Sequence, residues 1–206
     1  PLIQEFTKTS DGGQTWESGE IYLGNPDLSI QNIVSVDANT AWVMASVEGD
    51  GTGGVFKTSD GGANWVFQKG GTSPDSWNNW VHFFDANVGV FGSDPVDGYF
   101  ELYRTTDGGT NWTRVPQANI PPVLAGEYGY TSGVSYVGDV CFFYTNKGRV
   151  FKSVDKGLNW SIMLPSGYVV DFGSAANNGL MAFSSADRGL VFKKTGTTGL
   201  DIYRTV

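Results

Sequence analysis

Carboxylate and aromatic side chains occur together in segments rich in Gly, Pro, Ser and Asn, and such segments predict loops. A pair of carboxylates about 5 to 9.5 Å apart across a sugar would suit retaining or inverting glycoside hydrolysis. Aromatic rings beside acceptor oxygens would suit stacking and hydrogen bonding to a sugar or a peptide. The residues that we assign to a ligand site of this kind are Trp77, Trp80, Asp94, Asp97, Glu127, Tyr128, Tyr130 and Tyr168.

The same residues have simpler interpretations. Trp80 could begin an inner strand and pack in the core, and Asp94 and Asp97 flank a Pro-Val turn that is typical of a solvated loop. No residue is assigned a catalytic role, because a sequence gives no distance between two carboxylates. We expect no cofactor and no metal. Clustered oxygens at 94–97 or 48–50 would suit a hard cation, but neither segment has the ligand spacing of a known motif.

A cysteine and a histidine could form a nucleophile and its base. The chain has one of each, Cys141 and His82, and each lies in an apolar run that predicts a strand. A buried thiol that packs as a small apolar group is the simpler interpretation. With a single cysteine, the chain can form no disulfide within itself.

A short turn motif, repeated four times, predicts the elements that hold these residues. Its aspartates recur every 47 to 49 residues, a period typical of four-stranded propeller blades. The carboxylate can accept backbone hydrogen bonds within the turn, the second glycine permits positive φ, and the tryptophan can fill the space between blades. The structural residues of this motif are Asp11, Trp16, Asp60, Trp65, Asp107, Trp112, Asp155 and Trp160.

This motif resembles the Asp-box, or BNR repeat, with the pattern Ser/Thr-x-Asp-x-Gly-x-Thr-Trp. The Asp-box occurs in sialidases, sortilin-type receptors, some glycoside hydrolases and propellers similar to photosystem II assembly factors. Three copies depart from the pattern, with Asn64, Asn111 and Asn159 in place of threonine. Because these families have unrelated activities, the resemblance implies a fold and leaves the function open.

Two longer segments narrow the resemblance to one family. The run from Phe83 to Pro95 and the run from Tyr103 to Trp112 look like the photosystem II assembly-factor-like family. Similar proteins are common among the secreted proteins of Bacteroidetes-type bacteria. The resemblance therefore implies an exported protein, extracellular or periplasmic.

We predict an all-β chain that forms a β-propeller of four-stranded antiparallel blades. A half-blade covers about 1–20, and blades follow near 30–68, 79–115, 133–163 and 168–206. Within the first full blade, we expect strands near 32–36, 40–47 and 54–59, and a fourth after Asp60. In the last unit, Val191 to Lys194 matches a third strand, and Thr195 to Gly199 is interpreted as a degenerate box. The pattern predicts a fragment of a propeller with about six to eight blades, or alternatively a five-bladed ring with unusual closure.

Ligands are expected on the face opposite the boxes. That face would be built from the loops between second and third strands and from the connections between blades. The predicted loops are 48–54, 94–98, 145–148 and 185–189, and the connections include 71–80 and 120–130.

Charge and composition narrow the function classes. The net charge of −8 argues against a nucleic-acid partner, because phosphate binding needs a basic groove. No run of apolar residues is long enough to predict a transmembrane helix.

The sequence favours a non-catalytic, exported binding or scaffolding propeller with a carbohydrate or protein ligand. The remainder of a larger chain is a further expected partner. One alternative is a glycoside hydrolase or sialidase-like enzyme whose catalytic groups lie partly in other blades. The chain has no Arg-Ile-Pro segment, and this absence weakens the resemblance to sialidases. A second alternative is an assembly factor for a membrane protein complex.

Overall fold

The computed structural model describes residues 4–47, 52–72, 76–163, 180–195 and 199–204. Tyr168 and the loop at 48–51 lie outside the described residues. The strands are β1 Gln4–Lys8, β2 Glu17–Ile21, β3 Leu28–Ser35, β4 Ala41–Val47, β5 Gly53–Thr58, β6 Val66–Lys69, β7 Asn78–Phe83, β8 Gly89–Val96, β9 Tyr99–Thr105, β10 Thr113–Arg114, β11 Gly129–Val137, β12 Val140–Thr145, β13 Val150–Ser153, β14 Ser161–Ile162, β15 Leu180–Phe183, β16 Gly189–Thr195 and β17 Gly199–Arg204. One short 3-10 turn, Gln117–Asn119, interrupts the connection between β10 and β11.

The strands form a series of separate antiparallel sheets. Three of the sheets have four strands in chain order, β3 to β6, β7 to β10 and β11 to β14. Each of these sheets is one blade, with its first strand innermost and its motif turn between the third and fourth strands. This arrangement confirms the predicted all-β propeller fold.

The first sheet contains β1 and β2 alone. β1 leads directly into the turn at Asp11, as β5 leads into the turn at Asp60. β1 and β2 therefore hold the third and fourth positions of a blade, as the sequence predicts for its half-blade.

The last described sheet corrects two assignments. In the turn between β15 and β16, the Ser185 hydroxyl accepts hydrogen bonds from the amides of Asp187 and Arg188, as Asp85 accepts them from Asn87 and Val88. Segment 185–189 is thus a turn between first and second strands. β17 pairs with β16 from Thr195 opposite Gly199 onward, so Val191 to Lys194 lie on a second strand of this unit and not on a third. Residues 196–198, within the segment interpreted as a degenerate box, lie outside the described residues.

The core lies between neighbouring blades. Trp42 of one blade stacks on Phe83 of the next at 3.5 Å between ring centroids, and Phe142 stacks on Phe183 in the same way at 3.8 Å. Alternate side chains of a strand point to opposite faces of its sheet, so the large apolar residues of each blade pack against both neighbours. This packing makes the blades a rigid support for the loops at either end.

Candidate functional site

Each motif turn is closed by its own aspartate. Asp107 Oδ1 accepts hydrogen bonds from Thr105 Oγ1 at 2.8 Å and from the amide of Asn111 at 2.9 Å, and Oδ2 accepts one from Asn111 Nδ2 at 2.7 Å. In the first turn, Thr15 Oγ1 donates to Asp11 Oδ2 at 2.6 Å. Asparagine at the seventh position thus supplies the same donor as the threonine of the general pattern.

These hydrogen bonds lower the pKa of the motif carboxyls. The pKa of Asp11, Asp60 and Asp107 falls from 3.8 to about 2, mainly because the residue at the seventh position donates to the carboxylate from its side chain and backbone. Partial burial raises the pKa of Asp155, but the equivalent hydrogen bonds together lower it below its ordinary value. Carboxyls held as fully bonded anions are structural groups rather than proton donors.

The repeated basic residue before each motif connects neighbouring blades. Lys8 Nζ donates to the carbonyl of Gly61 at 3.1 Å, and Lys57 Nζ donates to that of Gly108 at 2.9 Å. Arg104 Nε donates to the carbonyl of Lys156 at 3.0 Å. The third strands β1, β5 and β9 are therefore each tied to the motif turn of the next blade, whereas Lys152 of β13 pairs with Asp187, in the turn between β15 and β16.

The opposite face carries the predicted ligand residues, but it buries several of them. Trp80, Tyr130 and Glu127 are 1%, 3% and 5% exposed, so their side chains lie beneath the surface of this face. Trp77 and Asp94 are half-buried and Asp97 is exposed. Tyr128 is 42% exposed and touches Tyr130 edge-on, with 5.8 Å between ring centroids.

Asp94 joins two blades at this face. Its Oδ1 accepts hydrogen bonds from Asn79 Nδ2 at 2.8 Å and from the amide of Gly129, in the next blade, at 3.0 Å. Burial raises the pKa of Asp94 to about 6, although these two hydrogen bonds act in the opposite direction. Asp94 is thus a positioned carboxyl that takes up a proton in mildly acidic solution.

We expect Asp94→Asn to alter the pH dependence of stability. A folded pKa of about 6 against an ordinary value of 3.8 gives a stabilising contribution that is complete below pH 4 and is lost as the pH rises through 6. The asparagine oxygen retains an acceptor for Asn79 and Gly129. Relative to the parent chain, the variant should therefore gain about 2 kcal/mol of unfolding free energy between pH 4 and pH 8. Urea denaturation at the two pH values measures this gain, and a difference that stays constant contradicts the assignment.

Glu127 is the centre of a buried ion-pair cluster. Its carboxylate accepts hydrogen bonds from Arg149 Nε at 2.9 Å, from Arg149 Nη2, from Thr145 Oγ1 at 2.6 Å and from the Leu124 amide at 2.8 Å. Burial by itself raises the pKa of Glu127, but the bonds from Arg149, Thr145 and Leu124 together hold it below its ordinary value. These hydrogen bonds hold the connection 116–128 against the blade.

A second buried carboxylate, Glu101, escaped the sequence analysis. It accepts hydrogen bonds from the hydroxyl and the amide of Thr72, the latter at 3.1 Å, and lies 3.8 Å from Arg114 Nη1. Burial raises its pKa, but the Thr72 hydrogen bonds contribute to a net lowering. The available signal was a single acid within the apolar run of β9. Glu101 fixes the connection between β6 and β7 as Glu127 fixes the connection after β10.

The chain's single cysteine and single histidine are both buried. Cys141 is fully buried in a cluster with Trp80 and Phe143, and burial raises the pKa of its thiol. His82 stacks on Tyr136 at 3.9 Å between ring centroids, and burial lowers its pKa to about 4. Within the described ranges, no three acidic, histidine or cysteine side chains are close enough to hold a metal ion, and no helix is long and apolar enough to cross a membrane.

Comparison with known proteins identifies the fold and not the function. YCF48 bound to a D1 peptide is 19% identical, with a TM-score of 0.54, and the match covers 90% of this chain and 59% of that one. A GH74 enzyme of Niastella koreensis is 14% identical, with a TM-score of 0.56 and coverages of 98% and 34%. A protein of unknown function from Dyadobacter fermentans is 15% identical, with a TM-score of 0.54 and coverages of 97% and 66%.

The chain spans 59% of the first of these structures and 34% of the second. No family model matches the chain, and no curated protein matches it in sequence. The solved structures therefore establish the propeller fold alone.

Proposed function

We propose that the chain is a non-catalytic binding module of an exported protein, extracellular or periplasmic, and that it binds a segment of a protein partner on the face opposite the motif turns. The proposal depends on one observation. The carboxylates of Asp94, Glu101 and Glu127 on that face accept hydrogen bonds from the protein's own donors, whereas Leu124 and Tyr128 of the same face are exposed. Such a surface is suited to recognition rather than to proton transfer.

The acidic residues support a binding role. Glu101 and Glu127 have side chains that are 0% exposed, and each faces an arginine and a threonine of its own cluster. Glycoside hydrolysis by two carboxyl groups requires them to flank a sugar in an open cleft. A glycoside hydrolase or sialidase-like activity remains the alternative from the sequence, and it would need acidic groups other than these two.

The exposed groups suggest the nature of the ligand. Leu124 and Tyr128 are 50% and 42% exposed in the connection that the Glu127 cluster holds in place. An apolar and an aromatic side chain on a fixed loop suit the side chains of an extended peptide. YCF48 offers a precedent in the same fold, since its structure contains a D1 peptide. Two related proposals are a carbohydrate ligand and a role in assembling a membrane protein complex. The experiment below distinguishes a peptide ligand from a carbohydrate ligand.

Tyr128→Ala tests the location and class of the ligand. Arrays of immobilised peptides and of glycans would be screened with the parent chain, and the affinity for the strongest binder would then be measured. We expect a peptide to be selected and Tyr128→Ala to weaken its binding about tenfold or more, as for a central aromatic contact.

Leu158→Ala is the matched control, because Leu158 is 44% exposed on the motif face. Loss of binding in the control alone would move the ligand to the motif face. Selection of glycans would change the ligand class, and release of sugar from a bound glycan would overturn the non-catalytic role.

A further inference from the structure

Of the carboxylates that are buried or half-buried on the face opposite the motif turns, Asp94 differs in having no cation. Glu127 is paired with Arg149, and Glu101 lies 3.8 Å from Arg114 Nη1. Asp94 forms no ion pair with any described residue. A carboxylate that leaves water without a cation carries an uncompensated desolvation free energy, and this burial raises the pKa of Asp94. A cation supplied by another molecule would offset that free energy.

The two carboxylate oxygens of Asp94 differ in their contacts. Oδ1 accepts both hydrogen bonds, from Asn79 Nδ2 at 2.8 Å and from the amide of Gly129 at 3.0 Å. Oδ2 accepts none from the part of the chain that the structure describes. The unpartnered side-chain atoms that this part encloses completely lie on other residues, so Oδ2 can be reached from outside. The contacts to Oδ1 therefore hold the carboxyl in place and leave Oδ2 as an open acceptor.

The equivalent positions of the neighbouring blades carry neutral side chains. Ser46 and Asn146 correspond to Asp94, because each lies five residues after the second-strand residue that pairs with the first residue of the motif. Ser46 Oγ donates to the carbonyl of Asn78 at 3.1 Å, and Asn146 Oδ1 accepts from the amide of Tyr128 at 2.9 Å. Neutral groups thus supply the structural contacts at this position, and the negative charge of Asp94 is not needed for them.

Two aromatic residues belong to the segments that contact Asp94. The amide of Asp94 donates to the carbonyl of Trp77 at 2.8 Å, and Tyr128 directly precedes Gly129. Trp77 is half-buried and Tyr128 is 42% exposed. Gly129 has no side chain that could cover the carboxyl, and an added Cβ would lie 2.9 Å from Asn79 Nδ2. Aromatic side chains near a carboxylate favour a cationic ligand, because the face of a ring also attracts positive charge.

We infer that Asp94 binds a basic side chain of the partner segment, a lysine or an arginine, through Oδ2. This inference rests on the proposed function, because it names the chemical class of one residue in the peptide bound near Tyr128. The incoming cation gives Asp94 what Arg149 gives Glu127. One open oxygen matches the compact ammonium group of lysine more closely than the two-pronged guanidinium of arginine. The net charge of −8 also favours the approach of a basic segment.

Pools of short peptides with a fixed central residue test this inference. The centre would be lysine, methionine or glutamate, and the other positions would hold neutral residues. Retention on the immobilised parent chain would be compared at physiological ionic strength, at which long-range attraction between exposed charges is largely screened. We expect the lysine pool to be retained about tenfold more strongly than the methionine pool, or more, because methionine has an apolar stem without the charge. The glutamate pool should be retained least.

Asp94→Asn should reduce the preference for lysine to about twofold or less, because an amide group takes the place of the charged carboxylate. Asparagine keeps the acceptor for Asn79 and Gly129, so the free energy of unfolding near neutral pH should be no lower than in the parent chain. Loss of the preference then reports on the charge and not on unfolding. Asp27→Asn is the matched control, because it removes the same charge from an exposed position in the connection between β2 and β3. It should leave the preference unchanged.

Tyr128→Ala distinguishes failure of this inference from failure of the proposed function. Equal retention of the three pools, lost in Tyr128→Ala, would overturn the role of Asp94 and leave the peptide site in place. A lysine preference that persists in Asp94→Asn, or that Asp27→Asn also abolishes, would overturn that role as well, since the attraction would then come from the overall charge. Retention of none of the pools would overturn both the role of Asp94 and the peptide ligand.

Discussion

Replacing Trp80 by alanine should lower the free energy of unfolding by about 3 to 5 kcal/mol, the usual loss for a large aromatic residue in a core. Trp80 is 1% exposed and packs between two blades, with its ring centroid 5.4 Å from that of Phe143 and 6.2 Å from that of Trp160. Its indole also covers Gly92, where a Cβ would lie only 2.6 Å away. Rigid strands on both sides prevent the cavity from collapsing, so the cost should lie near the upper end of this range.

Chemical denaturation followed by far-ultraviolet circular dichroism measures the loss without depending on tryptophan fluorescence. Trp16→Ala is the control, because Trp16 is 61% exposed and has little packing to lose. Its expected loss is below about 1 kcal/mol, as for exposed positions in general. Equal losses in the two variants would contradict the inter-blade packing described here.

Replacing Arg149 by methionine should lower the free energy of unfolding by about 3 to 5 kcal/mol near neutral pH, because it leaves the Glu127 carboxylate buried without its cation. Arg149 also donates to the carbonyl of Pro122 at 2.9 Å and lies over the ring of Phe151 at 4.9 Å. Methionine preserves much of the apolar stem, so the measured loss reports mainly on the charge.

Two comparisons separate the charge effect from lost packing. Without Arg149, burial should raise the pKa of Glu127, so the deficit should shrink as the pH falls through the ordinary glutamate value of 4.5. The double variant Glu127→Gln with Arg149→Met should recover part of the loss, because no buried charge remains.

Lys152→Met removes an ion pair at 2.8 Å whose aspartate, Asp187, is 84% exposed. This control should cost less than about 1 kcal/mol. A deficit in Arg149→Met that is independent of pH would show that packing, and not charge, accounts for the loss.

The sequence predicts those features of the fold that depend on short-range chemistry. The hairpin turn at Asp107 forms from residues within a few positions of one another, and its recurrence predicts the strands before and after it. The expected strands near 40–47 and 54–59 agree with β4 and β5 within two residues.

The candidate ligand site was harder to predict because exposure depends on distant elements. Trp80 and Tyr130 resemble surface aromatics when they are considered within their own segments, and each is buried by strands of other blades. The Glu101 cluster joins Thr72 and Arg114, which lie on different strands and connections, so the order of residues gave little sign of it. Among the candidate residues that the structure describes, Tyr128 and Asp97 are exposed, and Trp77 and Asp94 are half-buried.

The last unit shows how a short match can mislead. The sequence Val191-Phe-Lys is identical to Val150-Phe-Lys of the third strand β13. This identity suggested that Val191 also begins a third strand and that a degenerate motif turn follows it. A competing match, Tyr203-Arg204-Thr205 with Tyr103-Arg104-Thr105, puts the third strand one element later, as the pairing of β16 with β17 requires. The position of a strand in a blade is decided by its pairing with neighbouring strands and not by a short sequence match.

The ties from β1, β5 and β9 to the next motif turn have an evolutionary consequence. They fix the rotation from blade to blade at one end of the molecule, through Lys57 with Gly108 and Arg104 with Lys156. The connections at the other end, from β6 to β7 and from β10 to β11, differ in length. Insertions and substitutions in these connections can therefore be selected for new partners while the ties at the motif face are kept.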